Sequence, residues 1–349
     1  VKTHKFAREG AENMTGAVGL RRVPRAFVEG FPVFLPPLAE QKVIADKLDT
    51  LLAQVEITKA HLQKIPQTLK RFRQSVLAAA VSGKLTEEWR GDDKYSPKEV
   101  PRSWEKATAS SVCLKIQSGS TPKNNPFNQG GKIPFLKVYN IVNQTIDFDY
   151  RPQFITKEVH EEKLKRSIGK PNDVLMNIVG PPLGKVAILT NQYPEWNLNQ
   201  AITLFRADPE ILHFKYLYYV LCEGELVRKV MPETKGSVGQ VNISLTQCRQ
   251  AEIPLPPMEE QIEIVRRIEK FLTFADKIEQ QANEALERVI NLTQSILAKA
   301  FRGELTADWR AANPELISGE NSAEALLARI QAERAAMKPK KATKTKRAN

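Results

Sequence analysis

The sequence has few of the residues and patterns that mark membrane, disulfide-bonded or metal-binding proteins. Its three cysteines (Cys113, Cys222 and Cys248) form no Cys-x-x-Cys pair, and its four histidines have no Cys or acidic partner at metal-ligand spacing. It contains no run of about 18 apolar residues, and its first residues lack the apolar core of a signal peptide. We therefore expect a protein of the reducing cytoplasm, with no disulfide and no metal.

Familiar catalytic motifs are also missing. Residues 180–185 resemble a phosphate-binding P-loop, but three residues separate the two glycines where that loop has four, and Val186 replaces its Ser or Thr. Residues 125–127 read Asn-Pro-Phe, which lacks one proline of the Asn-Pro-Pro-aromatic motif of amino-methyltransferases. There is no nucleophile elbow and no His-Glu-x-x-His. We expect no catalytic residue and no cofactor in this chain.

Acidic residues are outnumbered, since the formal net charge is +12. Six of the basic residues lie after residue 337, where no acid offsets them, so residues 1–337 carry 12 − 6 = +6. A basic tail of low complexity is typical of a disordered segment, which either attracts phosphate or only keeps the chain soluble. The remaining charge favours a polyanionic partner.

One stretch occurs twice, and the rest of the chain is arranged around it. Residues 75–90 read SVLAAAVSGKLTEEWR, and residues 295–310 read SILAKAFRGELTADWR. At this offset of 220, 17 of the 56 positions between 35 and 90 are identical to their counterparts. Such self-similarity predicts a pseudo-two-fold protein with two equivalent long helices.

Apolar residues within each copy are spaced alternately by four and three, which is typical of a coiled-coil seam. Each helix should run about 44 residues, or about 65 Å. Prolines precede both helices and glycines follow them, as expected of helix ends. The predicted seam consists of Ile44, Leu48, Leu51, Val55, Leu62, Leu69, Phe72 and Val76 in the first copy, and Ile264, Ile268, Phe271, Ile278, Val289, Leu292 and Ile296 in the second.

The remaining sequence divides the chain into five parts. Because residues 16–34 match residues 236–254, residues 1–34 read as the last part of a domain, too short to be stable alone. Residues 35–90 and 255–310 hold the two helices, and residues 311–349 a short helix started by Asn321 and the basic tail. Residues 91–254 read as a turn-rich linker and a globular domain. Its β-like runs lie at 133–142, 173–179, 185–190 and 201–206, and its apolar helical segment at 212–230.

Four polar loops of this domain carry groups that suit DNA. Glycine lets backbone amides approach phosphate, lysine neutralises it, and Asn or Gln can pair with adenine in the major groove. Each loop taken alone could equally be an ordinary polar turn. The candidate DNA-binding residues are Ser118, Ser120, Thr121, Lys123, Lys137, Tyr139, Asn140, Lys185, Lys235, Ser237 and Gln240.

The duplicated stretch resembles a known family. Residues 35–41 (LPPLAEQ), the heptad helix and residues 83–90 (GKLTEEWR) are similar to the central conserved region of the specificity (S) subunit of Type I restriction–modification enzymes. Residues 255–310 resemble its distal conserved region, and residues 100–104 and 119–122 the opening of its target-recognition domains. The chain departs from the family pattern in one respect, because the first recognition domain is represented only by residues 1–34.

The resemblance implies an α+β fold, with a globular target-recognition domain of mixed sheet and helices and two long helices in an antiparallel coiled coil. It also implies a subunit without an active site that reads one half of a bipartite site on double-stranded DNA. The partners would be methyltransferase (M) subunits, which use S-adenosylmethionine, and restriction (R) subunits, which use ATP and magnesium. The helices would dock the M subunits and set the spacing between half-sites.

Two other classes of protein stay open on the residues alone. One is a catalytic subunit associated with methyltransferase activity, against which the missing cofactor motifs argue. The other is a coiled-coil interaction protein without a DNA role, which would bind duplex DNA no better than a neutral protein.

Overall fold

A computed structural model describes residues 4–16, 19–91, 100–122, 127–128, 130–230 and 242–337. The chain divides into two compact units, the smaller one formed by Val1–Pro66 with Ile278–Asn349 and the larger one by Gln67–Lys277. Two helices of 44 residues, α3 (Leu38–Val81) and α9 (Met258–Phe301), each contribute to both units.

The smaller unit is helical. Besides the first part of α3 and the last part of α9, it contains α1 (His4–Glu12), α2 (Arg25–Gly30), α10 (Ala307–Ala312) and α11 (Ala323–Met337). The chain before α3 is ordered by an aromatic cluster, in which the rings of Phe6, Phe27 and Phe31 lie 4.9–5.7 Å apart. The prediction that α11 is started by Asn321 was off by one residue, since the Ser322 hydroxyl accepts from the amide of Ala325.

The larger unit contains the sheets and the remaining helices. Its helices are α4 (Glu87–Arg90), α5 (Ala109–Val112), α6 (Phe214–Glu223), α7 (Glu225–Val230) and α8 (Leu245–Gln250). Its strands are β1 (Glu105–Thr108), β2 (Cys113–Ser118), β3 (Ile133–Leu136), β4 (Ile141–Val142), β5 (Thr145–Ile146), β6 (Phe154–Ile155), β7 (Val174–Asn177), β8 (Val186–Ile188), β9 (Asn197–Leu198), β10 (Ile202–Ala207) and β11 (Glu252–Leu255).

An antiparallel sheet in the order β2-β10-β7-β8 forms the centre of this unit. Strands alternate their side chains between two faces. Val174 and Met176 therefore lie in a core with α5, α6 and the second part of α3, while Leu175 lies in another core around Trp196. Because both faces are covered, residues 174–176 of β7 are all apolar.

Smaller sheets surround the central one. Strand β3 pairs antiparallel with β6 and parallel with β9, β4 forms a hairpin with β5, and β1 pairs antiparallel with β11. Antiparallel strand pairs, one parallel pair (β3 with β9) and the separate helices confirm the predicted α+β class. The β-like runs at 133–142, 173–179, 185–190 and 201–206 all contain strands, whereas β1, β2, β5, β6, β9 and β11 were not predicted.

The predicted seam positions are buried or half-buried in their own units, with two exceptions. Phe271 is 37% exposed, but its ring centroid lies 6.1 Å from that of Phe72 in an edge-to-face arrangement. Leu292 is 47% exposed, whereas Leu297, five residues further along α9, is 7% exposed. The α-helix has about 3.6 residues per turn, so a strict heptad drifts off the buried face over several turns.

Candidate nucleic-acid interface

The described polar loops come together at one end of the central sheet. Strands β2 and β7 end there at Ser118 and Asn177, and β10 and β8 begin there at Ile202 and Val186. This follows from the pairing, because β2, β10, β7 and β8 alternate in direction. Sequence separation between the loops is large, so only the sheet brings them to one surface.

The first loop is held by a close approach of two backbones. The amide of Gly119 donates to the carbonyl of Ile202 at 2.8 Å, and the amide of Ser120 donates to Leu198 at 3.0 Å. A Cβ atom at Gly119 would lie 2.1 Å from the carbonyl oxygen of Asn199, so only glycine fits this position. Ser120 is left exposed at the sheet end.

The side chains of this loop join it to the next turn. Ser118 shares a hydrogen bond of 3.1 Å with the hydroxyl of Thr203, and the Thr121 hydroxyl donates to the side-chain oxygen of Gln200. Gln200 is exposed, and its amide nitrogen is a donor suited to a base edge.

The loop that begins at Lys137 lies against the same turn. The amide of Asn199 donates to the carbonyl of Leu136 at 3.0 Å, which places Lys137 beside it. The Lys137 ammonium lies 4.8 Å from the centre of the Phe127 ring. The Tyr139 hydroxyl donates to the carbonyl of Arg151 at 3.2 Å, and burial raises the pKa of Tyr139, so the phenol stays protonated.

Asn140 is a correction to the predicted set. Its side chain is completely buried; its amide donates to the carbonyls of Asp147 at 3.0 Å and Tyr150 at 2.9 Å, and its oxygen accepts from the amide of Lys137. An amide with both ends committed inside the protein stabilises the loop and cannot read a base. The residue type suited both roles, and sequence alone does not show burial.

The loop at Lys185 is ordered by another buried asparagine. The side chain of Asn177 donates to the carbonyl of Pro182 at 2.9 Å and accepts from the amide of Lys185 at 2.6 Å. The peptide bond between Pro181 and Pro182 is cis. Lys185 is half-buried, and within the described part of the chain we find no acidic partner for its ammonium. It is therefore available to a phosphate.

The fourth loop falls outside the described residues. Of the candidates, Lys123, Lys235, Ser237 and Gln240 belong to segments that the structure does not describe. The described residues resume at Asn242, which forms a β-bridge with Val179 at the same sheet end.

Several residues at this surface were missed by sequence reasoning. Asn143 and Gln144 turn the β4–β5 hairpin with positive φ, and the Gln144 side chain accepts from the amide of Val186 at 2.6 Å. Tyr150 is exposed, with the Arg151 guanidinium 5.2 Å from its ring. Polar residues at the turn of a short hairpin could have marked Asn143 and Gln144.

The described residues offer few metal-ligating or nucleophilic groups. Among them, no group of three His, Cys, Asp or Glu side chains could hold a metal. Burial raises the pKa of Cys113 to about 12 and that of Cys248 to about 11, so these thiols are protonated. No helix in the described ranges is long and apolar enough to cross a membrane.

A buried carboxylate in the larger unit joins the two copies of the repeat. Glu260, in the first turn of α9, accepts from the Thr86 hydroxyl at 2.7 Å and from Arg90 at 2.6 Å through one oxygen. Its other oxygen accepts from the indole nitrogen of Trp104 at 2.9 Å. Donors on both oxygens compensate the cost of burying the charge.

The smaller unit contains the equivalent cluster. Glu40, 220 residues before Glu260, accepts from the Thr306 hydroxyl and from Arg310, both at 2.5 Å. Each cluster therefore combines the glutamate of one copy with the threonine and arginine of the other.

A chain that combines a polar loop surface at a sheet end with two copies of a long helix has the features of a recognition module. The family described as Type I restriction modification DNA specificity domain matches residues 4–67 and 101–288. The chain belongs to this family.

The similar proteins are specificity subunits. The chain is 41% identical over 345 residues to the Type I restriction enzyme EcoBI specificity subunit of Escherichia coli, covering 95% of this chain and 70% of that one. It is 39% identical to the StySPI specificity subunit of Salmonella potsdam, covering 98% of this chain and 72% of that one.

Solved structures share the fold. A chain from a study of complex assembly and conformational transition of the type I R-M system matches with a TM-score of 0.64 and 20% identity, over 86% of this chain and 69% of that one. The HsdS subunit from Thermoanaerobacter tengcongensis matches with a TM-score of 0.58 and 20% identity, over 86% and 68%. The family is that of a DNA-recognition subunit, which is not an enzyme by itself.

Proposed function

We propose that the surface at the end of the central sheet reads one half of a bipartite DNA site. The observation that carries this proposal is the convergence of the Ser118, Lys137 and Lys185 loops on one sheet end. Glycine turns and lysines would hold the phosphates, while exposed Gln200 would contact a base edge.

The test separates phosphate contacts from base contacts. We expect Lys185→Ala to weaken binding to all duplexes and to lower the slope of log K against log salt by about one. Gln200→Ala should instead relax specificity at one position, at a cost of about 1–3 kcal/mol for the preferred sequence. The DNA site would first be found by methylome mapping, and binding measured by fluorescence anisotropy at several salt concentrations.

Lys47→Ala is a matched control for Lys185→Ala. Lys47 lies on α3 in the other unit, where its ammonium donates to the carbonyl of Leu305 at 3.1 Å. An equal loss of DNA affinity in both variants would show that general charge, and not the sheet end, holds the DNA.

The partners proposed for this chain are those of its family. We infer that it assembles with M and R subunits in the cytoplasm and that it carries no cofactor. In that complex S-adenosylmethionine would be used by M, and ATP and magnesium by R. Family membership disfavours the two alternatives of a catalytic subunit and of a coiled-coil protein without a DNA role.

A further inference from the structure

The hairpin formed by β4 and β5 reaches the same sheet end as the polar loops. Its turn, residues 143–144, lies beside the start of β8, because the Gln144 side chain accepts from the amide of Val186 at 2.6 Å. Val186 directly follows Lys185, the lysine available to a phosphate. The carbonyl of Gln144 accepts from the Tyr218 hydroxyl at 3.0 Å, which joins the turn to α6. The turn is therefore fixed from two sides.

This turn has a backbone conformation that is unusual for its residues. Asn143 and Gln144 connect the paired residues Val142 and Thr145, with φ angles of 49° and 62°. Two positive φ angles are what a two-residue turn of type I′ requires, and its second residue is ordinarily glycine. Asparagine tolerates the left-handed conformation better than glutamine does. The bond to Val186 thus keeps Gln144 in a place that glycine would fill with less strain.

The base of the hairpin is also firmly held. The amide of Asp147 donates to the carbonyl of Asn140 at 2.8 Å, and the Asn140 side chain donates back to Asp147 at 3.0 Å. Ile141 is completely buried in the core around Trp196. A hairpin that is fixed at its base and at its turn binds without a further cost of ordering.

Asn143 is the residue that this arrangement presents to solvent. It is exposed, and among the described residues we find no hydrogen bond to its side chain. Its amide has two donor hydrogens and an acceptor oxygen. In the major groove adenine offers the acceptor N7 beside the donor N6, and a side-chain amide can bond to both.

We propose that the β4–β5 hairpin enters the major groove and that Asn143 reads an adenine·thymine pair through N6 and N7 of the adenine. This inference rests on the proposed function, since the sheet end must face DNA. The major groove is about 12 Å wide and accepts a two-stranded β-ribbon. Lys185, next to the turn, sets the position of the hairpin on the phosphates. Gln144 and Tyr218 are positioning residues, because they hold the turn and leave the base to Asn143.

The test removes one atom from the DNA. In the duplex half-site found by methylome mapping, each adenine in turn is replaced with 7-deazaadenine, which keeps Watson–Crick pairing and has carbon in place of N7. Binding of the full chain is measured by fluorescence anisotropy. At one position we expect the replacement to weaken binding by the unaltered chain about tenfold. Binding by the Asn143→Gly chain should not change at that position, because glycine keeps the positive φ but has no amide side chain.

Asn172→Gly is the matched control. Asn172 is also an exposed asparagine with a positive φ, of 72°, but it lies before β7 at the other end of the central sheet. The Asn172→Gly chain should remain about tenfold sensitive to 7-deazaadenine at the same position.

Two further variants test the positioning residues. Gln144→Gly suits the turn and Tyr218→Phe removes only a hydroxyl, so thermal melts should show that both chains fold. Each variant releases the turn on one side and should lower the sensitivity to 7-deazaadenine to about threefold or less. The slope of log K against log salt should stay unchanged, because the phosphate contacts remain.

The results separate this inference from the proposed function. The inference is overturned if no adenine is sensitive, or if the Asn143→Gly chain stays as sensitive as the unaltered chain. The proposed function survives both results provided that Lys185→Ala still weakens binding more than Lys47→Ala. Equal losses in those two lysine variants would overturn the proposed function and the inference together. Full sensitivity in the Gln144→Gly and Tyr218→Phe chains would refute the positioning roles.

Discussion

At the scale of single residues, burial separates structural polar groups from those that can bind. Asn140 and Asn177 are buried and hold loops in shape, while Gln200 and Lys185 reach the surface that these loops form. Side-chain amides thus serve two purposes in these loops, because those of Asn140 and Asn177 are buried and that of Gln200 is exposed. The type of side chain identifies candidate DNA-binding residues in the sequence. Burial in the folded protein then shows which of them are accessible to DNA.

Glu260 should be a strong determinant of stability. Truncation to alanine leaves Arg90 buried without its carboxylate, at a cost of about 3–5 kcal/mol. Urea denaturation of the Glu260→Ala chain measures it. The matched control is Glu259→Ala, one residue earlier in the same helical turn and exposed, which should change the free energy of unfolding by less than about 0.5 kcal/mol. Equal effects would refute the role of the cluster.

The hydrogen bonds of Glu263 predict that the stability of the fold depends on pH. Hydrogen bonds from Arg266 and Arg267 lower the pKa of Glu263 to about 2 from the ordinary value of 4.5. A lowered pKa stabilises the fold above about pH 4.5 and ceases to do so as pH falls towards 2. Glu263→Gln should therefore flatten the acid side of the stability profile between pH 4.5 and 2.

Thermal melts across this range would detect the change. Glu259→Gln, at the exposed position nearby, should leave the profile as it is. An unchanged profile in the Glu263→Gln chain would show that the two arginines do not hold this carboxylate in solution.

At the scale of elements, the long helices were predicted better than the sheets. A repeat without gaps and a sustained spacing of four and three mark α3 and α9 to within about three residues of their ends. Strand β11 and its partner β1 are short, hold few apolar residues and lie far apart in sequence, so no local pattern reveals them. The loop surface is also assembled by pairing between strands that are distant in sequence. Its polar loops could therefore be recognised one by one, but their arrangement at one sheet end could not be predicted.

The drift of the buried face along α9 can be tested with two leucines. Leu297→Ala should cost about 2 kcal/mol or more, since the side chain is 7% exposed, whereas Leu292→Ala should cost less than about 1 kcal/mol. Both changes have the same chemistry and lie five residues apart. Chemical denaturation compares the two variants directly when both have the same dependence of unfolding free energy on denaturant. A larger loss of stability for Leu292→Ala would show that the buried face follows the strict heptad.

At the scale of the whole molecule, the chain should bind DNA but catalyse no reaction on it. We expect no methylation or cleavage of DNA by the purified chain with S-adenosylmethionine, ATP and magnesium. Transfer of tritiated methyl groups and nicking of supercoiled plasmid are the measurements, and a complete M–R–S complex is the positive control. Turnover that survives further purification and scales with this chain would contradict its place among non-catalytic subunits.

The reciprocal glutamate clusters have a consequence for the origin of the chain. Neither copy of the repeat can complete a cluster from its own residues, because Glu40 needs Thr306 and Arg310 while Glu260 needs Thr86 and Arg90. An ancestor with one copy would have made both clusters across a symmetric homodimer. Joining two such genes end to end would turn contacts between subunits into contacts within one polypeptide. The two halves could then diverge in the sequence they read, provided that the paired residues changed together.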